Sequence, residues 1–368
     1  MAPGSLTNLY ERMNCLNSKE RVFAVLEGKE PDRTPVLGGW IANPVAICEI
    51  AGLSFEEYRK DPLMATIKAY EILGTDAILE PFVPIDPESY RFLDKSSYAH
   101  ADKGMSLEEA VEKIDNMPTP EKVEASFDFE GEYQKFKEYL LRRQKIMGDM
   151  VFMPAAWQAG SKVSWYFDFG YEIFFTIVGL YPDRAQKLME IGGAEGRNWS
   201  RVIARAVKEG LYPKAVFLGE DICTQRGPMI SPDFLEKYYA PQLKRGLEPL
   251  LEVGCKPVWH CDGDVRKILD MVIECGAQGL QGFQPECGMD IDYVVKKRTR
   301  DGKPLLIFGP LAVTTELPVL SPEEVRQKVR YAIDVCKGKA DLMLFTSNTI
   351  NPDVPVENIK AMYEAVRE

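Results

Sequence analysis

The chain has 368 residues, of which 45% are hydrophobic and 27% are charged, a composition typical of a globular protein with a large core. The formal net charge of -11 argues against general binding to nucleic acid or to anionic membrane surfaces. No apolar run reaches the roughly 18 residues that span a bilayer, and the first residues lack the apolar segment of a signal peptide. We therefore expect a cytoplasmic protein that binds neither nucleic acid nor a membrane.

Short apolar runs, each followed by a helix-like segment, recur along the whole chain. In chain order they are 35–42, 76–83, 150–158, 215–222, 256–263, 279–286, 305–312 and 342–349. Runs that are apolar through most of their length indicate parallel strands buried on both faces. Eight such strands alternating with helices predict right-handed crossovers and an α/β fold of the TIM type, a (β/α)8 barrel.

One polar segment does not fit the strand–helix alternation. Residues 84–149 separate strands 2 and 3 and contain a capping box formed by Ser106 and Glu109, which begins a helix. We interpret this segment as a helical insertion. Because no low-complexity linker or internal repeat occurs, we expect a single barrel domain over residues 1–368.

The histidines and cysteines limit the chemistry. His100 and His260 are the two histidines, so any imidazole chemistry must use one of them. The eight cysteines are scattered and no C-x-x-C occurs, which favours reduced thiols over disulfides or a zinc ribbon.

Catalytic groups of TIM barrels lie at the C-terminal ends of the strands and in the loops that follow. Polar and aromatic side chains at those ends form one set of candidates: Trp40, Glu80, Trp157, Glu220, Asp221, His260, Asp262, Gln284, Glu286 and Asn348. Several carboxylates and one histidine converging on one rim favour an enzyme over a binding module.

His260 and Asp262 form the sharpest motif. Residues two apart on a strand face the same side, so both side chains point together and Cys261 points away. Such a pair suits a metal ion, or a histidine oriented by a carboxylate. The alternative is a histidine that only makes a hydrogen bond inside the barrel.

Glu220 and Asp221 are further catalytic candidates, because ionised carboxylates are rarely buried without partners. The alternative for these two residues and for Glu286 is an ion pair with Arg226 or with a lysine of the rim. Trp40 and Trp157 are candidates for the apolar wall of a substrate pocket.

Four segments together resemble the uroporphyrinogen decarboxylase superfamily, which also contains corrinoid-dependent methyltransferases. They are 17–36, 219–245, 258–270 and 351–362, and the resemblance covers nearly the whole chain. True decarboxylases of this superfamily have an arginine-rich N-terminal loop, whereas the matching stretch PDRTPVLGGW contains only Arg33. We therefore do not expect decarboxylation of the porphyrinogen.

The resemblance also implies a metal site. Zinc methyltransferases of the superfamily have His-x-Cys after strand 5 and a cysteine after strand 8, and related enzymes add a glutamate after strand 6. The matching residues here are His260, Asp262, Asn348 and Glu286, which the resemblance implies as ligands of Zn²⁺. Oxygen donors in place of thiolates leave a metal more Lewis acidic, so we expect no activation of a thiol acceptor.

We therefore predict a methyltransferase that moves a methyl group from a small donor, a methyl ether, to cob(I)alamin. The cobalamin must be held by a separate corrinoid protein, because the chain has no D-x-H-x-x-G motif. A metal would polarise the ether oxygen, or His260 or a carboxylate would protonate it without a metal. We expect the donor to contact Trp40, Glu80, Trp157, Arg226 and Gln284.

Two other functions stay open. One is a decarboxylase or lyase of the same fold acting on a small carboxylate or tetrapyrrole, with Arg226 or Arg33 as the anion clamp. The other is a catalytically silent barrel that binds a tetrapyrrole or serves as a scaffold. A homodimer is common among such folds.

Overall fold

A computed structural model describes residues 16–84 and 104–368. Eight strands lie at its centre: β1 (Leu37–Gly38), β2 (Ala77–Leu79), β3 (Val151–Met153), β4 (Ala215–Gly219), β5 (Lys256–His260), β6 (Gly279–Gln281), β7 (Leu306–Leu311) and β8 (Asp341–Thr346). Strands β1 to β3 pair in sequence order, as do strands β4 to β8, and every pair is parallel.

Two parallel bridges join these two sheets into a ring. Ala155, just after β3, pairs with Phe217 of β4, and Val36, just before β1, pairs with Leu344 of β8. Each strand therefore has a parallel neighbour on both sides, as in a TIM barrel. The predicted TIM-type (β/α)8 fold is confirmed, and each of the eight predicted runs coincides with a strand. The strands are shorter than the runs, because the last residues of each run already belong to the loops of the barrel mouth.

The α-helices of the described residues pack around the strands. They are α1 (Ser18–Leu26), α2 (Pro44–Ala51), α3 (Phe55–Lys60), α4 (Pro62–Leu73), α5 (Leu107–Asn116), α6 (Pro120–Ala125), α7 (Phe129–Met147), α8 (Tyr166–Phe169), α9 (Tyr171–Leu180), α10 (Pro182–Lys208), α11 (Pro232–Phe234), α12 (Ala240–Glu252), α13 (Leu269–Cys275), α14 (Ile291–Val294), α15 (Pro322–Cys336) and α16 (Val356–Glu364). A two-stranded hairpin, Cys223–Thr224 with Gly227–Pro228, follows β4. Side-chain caps begin many of the helices, among them the capping box of Ser106 and Glu109.

The helical insertion between β2 and β3 consists of α5, α6 and α7. Ion pairs attach it to the barrel helix α10, with nitrogen–oxygen distances of 2.8 Å for Arg184–Asp115 and 2.6 Å for Arg205–Glu130. A further pair of 2.5 Å joins Glu124 of the insertion to Arg245 of α12. Part of the predicted insertion, residues 85–103, lies outside the described residues, as does His100. The assignment of 1–368 to a single domain stays a prediction.

The inside of the barrel is filled by alternate strand residues. Phe217, Phe308 and Phe345 are buried there together with Val258, and α1 packs its apolar face against the same cluster. Since side chains two apart on a strand share a face, His260 lies one layer above Val258 on the inner face of β5. The apolar interior thus positions the imidazole at the C-terminal mouth of the barrel.

A buried ion-pair network lies at the opposite, N-terminal end of the strands. Asp76, just before β2, is fully buried, and its carboxylate accepts hydrogen bonds from Arg21 and Arg33 at 2.7 Å each. Arg33 donates a second hydrogen bond at 3.1 Å, and the backbone N–H of Val36 donates one at 2.9 Å. Arg33 is therefore a structural residue of the barrel floor, far from the mouth.

The seven cysteines within the described ranges are unpaired and buried. Among the helices of residues 16–84 and 104–368, none combines the length and the apolar composition needed to cross a membrane.

Candidate active site

His260 is the last residue of β5 and is 4% exposed. Its neighbours across the sheet are Gly219 of β4 and Gln281 of β6. Nδ1 of His260 contacts Oε1 of Gln281, whose Nε2 donates to the carbonyl oxygens of Thr346 at 2.9 Å and Ser347 at 3.1 Å. Because these carbonyls orient the amide, its oxygen accepts a hydrogen bond from Nδ1–H. Nε2 of the imidazole therefore faces the mouth.

Two carboxylates lie beside Nε2. Oδ1 of Asp221 lies 3.3 Å from it and also accepts a hydrogen bond of 3.1 Å from the backbone N–H of Asp262. Oδ2 of Asp262 accepts a hydrogen bond from Nδ2 of Asn348, while Oδ1 of Asp262 is buried without a hydrogen-bond partner. One ligand-type atom from each of Asp221, His260 and Asp262 lies within 4.8 Å of the others. We call these three residues the mouth cluster.

The pKa values of the mouth cluster depend on one another. Burial lowers the pKa of His260, but the hydrogen bond and the charge of Asp221, together with the charge of Asp262, outweigh it and raise the value to about 9. Burial raises the pKa of Asp262 to about 6 against the opposing charge of His260. Burial acts in the same direction on Asp221, but its hydrogen bond to His260 lowers the pKa overall. The mouth cluster thus holds a proton on the imidazole next to at least one ionised carboxylate.

The mouth cluster also has the donors for a divalent cation. One imidazole nitrogen and two carboxylates form a three-ligand set of the kind found in catalytic zinc sites, which leave further coordination positions to water or substrate. The unpartnered, buried Oδ1 of Asp262 fits this use, because a buried carboxylate oxygen without a partner is costly. Asp221, His260 and Asp262 therefore fit the predicted Zn²⁺ or a similar ion.

The mouth cluster includes Asp221, which the resemblance did not imply as a ligand. Glu286 is exposed in a 3₁₀ turn after β6 and accepts a hydrogen bond from Oγ1 of Thr314. Asn348 turns its amide nitrogen towards Asp262 and so holds that carboxylate in place. The assignment of Glu286 and Asn348 as metal ligands stays a prediction.

Cys261 points away from the mouth, as the strand alternation predicts. Its sulfur accepts a hydrogen bond from the backbone N–H of Ile222 at 3.4 Å, and burial raises its thiol pKa well above the usual value. The mouth cluster therefore presents nitrogen and oxygen atoms, with no thiolate among its three residues.

Two tryptophans stand edge-on to His260. The ring centroids of Trp40 and Trp157 lie 6.2 and 5.5 Å from that of the imidazole, and both rings also contact Phe217. Trp40 is buried, whereas Trp157 is 45% exposed. Together they form an apolar wall beside the mouth cluster, with Trp157 accessible to a ligand.

Glu220 has a structural position. It is buried, and its carboxylate accepts hydrogen bonds from the backbone N–H groups of Val163, at 2.9 Å, and Ser164. Burial raises its pKa to about 7 against these hydrogen bonds. Glu220 thus fastens the loop after β3 to the end of β4, while its neighbour Asp221 faces His260.

The other predicted substrate contacts are spread around the rim. Glu80 follows β2 with φ +24° and accepts a hydrogen bond of 2.9 Å from the hydroxyl of Tyr139 in the insertion. Gln284 accepts one of 2.9 Å from the backbone N–H of Gly263. Arg226 is exposed in the turn of the hairpin, and among the described residues no ion pair joins it to Glu220, Asp221 or Glu286.

A cavity of about 650 Å³ adjoins the mouth cluster and shares Asp221 with it. It lies between the loop after β3, the end of β4, α10 and the insertion, and it includes Trp157, Lys162, Glu195, Asn198 and Trp199. Lys162, Glu195, Asn198 and Trp199 were not predicted as site residues. The last three lie on α10, whose sequence has the pattern of an ordinary amphipathic helix. The only local signal is its run of glycines, where Gly192 and Gly196 allow the close approach of the loop backbone at Lys162 and Gly160.

Comparisons with known proteins agree with this architecture. No curated protein sequence matches the chain. Among solved structures, a methyltransferase from Methanosarcina mazei has the same fold, with a TM-score of 0.57, 17% sequence identity and coverage of 96% of this chain and 98% of that one. At this identity the likeness concerns the fold alone.

The sequence profile of the family described as uroporphyrinogen decarboxylase (URO-D) matches residues 170–368, which is more than half of the chain. This region contains β4 to β8 and all three residues of the mouth cluster. The superfamily predicted from the sequence is confirmed, and so is the prediction of an enzyme at the level of the family. The protein belongs to the uroporphyrinogen decarboxylase family.

Proposed function

We propose that the protein is a methyltransferase that moves a methyl group from a small methyl ether to cob(I)alamin on a separate corrinoid protein. The observation that carries this proposal is the mouth cluster, an imidazole flanked by two carboxylates at the C-terminal mouth of the barrel. The fold shared with the Methanosarcina mazei methyltransferase supports it. The donor set of nitrogen and oxygen atoms favours an oxygen-containing methyl donor over a thiol.

The reaction needs little covalent chemistry from the protein. The methyl carbon passes to the Co(I) centre of the cobalamin, the carbon–oxygen bond breaks, and its electron pair stays on the oxygen. That oxygen needs a proton or a cation, because an alkoxide or phenolate is a poor leaving group. A barrel that orients the ether and stabilises the departing oxygen would be sufficient.

The residues of the mouth cluster have distinct roles in this scheme. Gln281 orients the imidazole through Nδ1, and Asp221 keeps a proton on Nε2, from which His260 protonates the departing oxygen. Asn348 holds Asp262 beside it. When a divalent cation is bound, His260, Asp221 and Asp262 would hold it, and it would supply Lewis-acid stabilisation of the same oxygen.

The direct test is optical. The protein is mixed with reduced cob(I)alamin and a panel of methyl ethers, methanol and methylthiols, with and without added zinc, and the methylcobalamin spectrum is followed. We expect the spectrum to grow with the ethers and to stay flat with the methylthiols. A reaction with methylthiols alone would contradict the oxygen-donor assignment. Free cobalamin and cobalamin on a purified corrinoid protein are compared in parallel.

A second candidate function is that of a decarboxylase or lyase acting on a small carboxylate. The match to a family described as uroporphyrinogen decarboxylase is consistent with it. The position of Arg33 weakens it, because this arginine is bound to Asp76 at the barrel floor. Only Arg226 then remains of the two predicted anion clamps. Release of carbon dioxide from a small acid, without any corrinoid and sensitive to Arg226→Ala, would support this candidate instead.

A further inference from the structure

Aromatic side chains form much of the wall of the cavity beside the mouth cluster. Four aromatic side chains line it, Phe127, Trp157, Phe167 and Trp199. Phe167 and Trp157 are exposed to solvent, at 64% and 45%. A volume of about 650 Å³ lies within the range of small-molecule sites. Such walls favour a flat, apolar ring that stacks on them or meets them edge-on.

Asn198 has an unpaired hydrogen-bond acceptor. It lines the cavity from α10, is 1% exposed, and its Nδ2 donates a hydrogen bond of 3.4 Å to the carbonyl oxygen of Val123. Its Oδ1 is buried without a partner. A buried acceptor left without a hydrogen bond costs about 1–3 kcal/mol. A ligand that donates an O–H or N–H group to Oδ1 would remove that cost.

The charges of the lining disfavour an anionic ligand. Lys162 is the one cation among the lining residues, and it is bound to Asp168 at 2.6 Å. Of the three lining carboxylates, Glu220 is held by backbone N–H groups and Asp221 by His260. Glu195 remains, at the exposed edge. A carboxylate on the ligand would meet these acids without a free cation.

The cavity leads to the mouth cluster. Trp157 contacts both the cavity and the imidazole of His260, with a centroid distance of 5.5 Å, and Asp221 belongs to both. A substituent on a ring bound in the cavity therefore extends towards His260.

From these observations we propose that the cavity binds an uncharged aromatic ring bearing a hydroxyl group that donates to Oδ1 of Asn198. This second step rests on the proposed methyl transfer: the methyl donor is then a methoxyphenol whose methoxy oxygen lies at His260. A quaternary ammonium donor is disfavoured, because it has no hydrogen for Asn198.

The test measures binding, so it does not depend on methyl transfer. Quenching of tryptophan fluorescence, with calorimetry as a second readout, is used to titrate 2-methoxyphenol, methoxybenzene, 3-methoxybenzoate and phenyltrimethylammonium. We expect 2-methoxyphenol to bind about tenfold more tightly than methoxybenzene, since one hydrogen bond to a buried acceptor is worth that factor. 3-Methoxybenzoate should bind more weakly than both, because its carboxylate meets the lining acids. Phenyltrimethylammonium should bind more weakly than 2-methoxyphenol, because it has no hydrogen for Asn198. Equal affinity for the phenol and its unhydroxylated analogue, or preference for either charged arene, would overturn the proposal.

Variants identify the acceptor. Asn198→Leu should bind the phenol and methoxybenzene equally, whereas Phe127→Ala should weaken both and keep their ratio. Asn358→Leu is the matched control, because Asn358 is also 1% exposed but lies in α16, outside the cavity. It should keep the tenfold ratio, and an unchanged ratio in Asn198→Leu would overturn the assignment. If Asn198→Leu does not fold, Asn198→Ala is measured in its place, and the wild-type comparison still decides.

Methyl transfer is measured separately with cob(I)alamin. Selective binding of the phenol without methyl transfer would support the cavity assignment and remove the proposed function. Methyl transfer from an aliphatic methyl ether, with no arene bound, would support the function and overturn the cavity assignment.

Discussion

Asp221 and His260 meet where β4 and β5 end side by side, with Oδ1 of the carboxylate 3.3 Å from Nε2 of the imidazole. Asp221 stands in the loop directly after Gly219, the residue paired with His260. A Cβ on Gly219, whose φ is +136°, would collide with the backbone of His260, so glycine allows the two strand ends to lie this close. This contact joins Asp221 to His260 within the mouth cluster.

The first prediction concerns the proton donor. His260→Ala should lower the rate of methylcobalamin formation about a hundredfold or more, in the range of lost general acid catalysis. Cys261→Ala is the matched control, because its side chain is the next in sequence but points away from the mouth. We expect it to keep nearly the wild-type rate. Equal rates in wild type and His260→Ala would remove the catalytic assignment.

The second prediction separates two ligand sets for the metal. Titration with Co²⁺, followed by its visible absorption, should show one site, and Asp221→Asn should weaken it at least about tenfold. Glu286→Gln should change little, because Glu286 lies outside the mouth cluster and binds Thr314. The reverse pattern would favour the ligand set implied by sequence resemblance, with Glu286 as the ligand.

The third prediction uses the packing around the imidazole. Gly282 has φ +85°, and a Cβ there would lie 2.5 Å from Nδ1 of His260. Gly282→Ala should therefore displace the ring and lower the rate of methyl transfer at least about tenfold, the scale of misplacement effects. Gly254→Ala has a similar φ of +68° with open space around the new Cβ, so it should show only the backbone strain, as a loss of stability without a loss of rate.

The fourth prediction is the pH dependence of stability in chelator-treated protein. The pKa of His260 is raised from 6.5 to about 9 in the folded state. The protonated imidazole therefore stabilises the folded state fully below pH 6.5, and this stabilisation is lost as the pH rises through 9. By linkage, the free energy of unfolding should fall by on the order of 3 kcal/mol over that window. Urea unfolding at pH 6, 7.5 and 9 measures it. In His260→Gln the fall should be much smaller, and an equal fall in both proteins would contradict the assigned pKa.

The fifth prediction concerns Arg33. Arg33→Met removes one partner of a buried carboxylate, and the loss of one partner of a buried pair costs about 3–5 kcal/mol. We expect a cost at the lower end, because Arg21 and the backbone of Val36 still bind Asp76. The activity per folded molecule should stay near that of the wild type. Loss of substrate binding with unchanged stability would instead support Arg33 as the anion clamp of a decarboxylase.

Much of the fold was accessible from local sequence patterns. The eight apolar runs predicted the eight strands, because strands buried on both faces need apolar side chains at nearly every position. The same patterns located His260 at the end of β5. The pairing of His260 with Asp262 followed from strand periodicity, although Asp262 lies two residues beyond the strand.

The tertiary structure alone decided which distant residues join His260. The loop after β4 turns Asp221 towards Nε2 and Glu220 into the protein, a choice made by the backbone N–H groups of Val163 and Ser164. Asn198 reaches the site only because α10 packs against the loop after β3. Arg33 is withdrawn from the mouth by Asp76 at the opposite end of the strands. Periodicity reports which side chains are buried along one element, whereas these contacts depend on loop conformation and on packing between elements far apart in the chain.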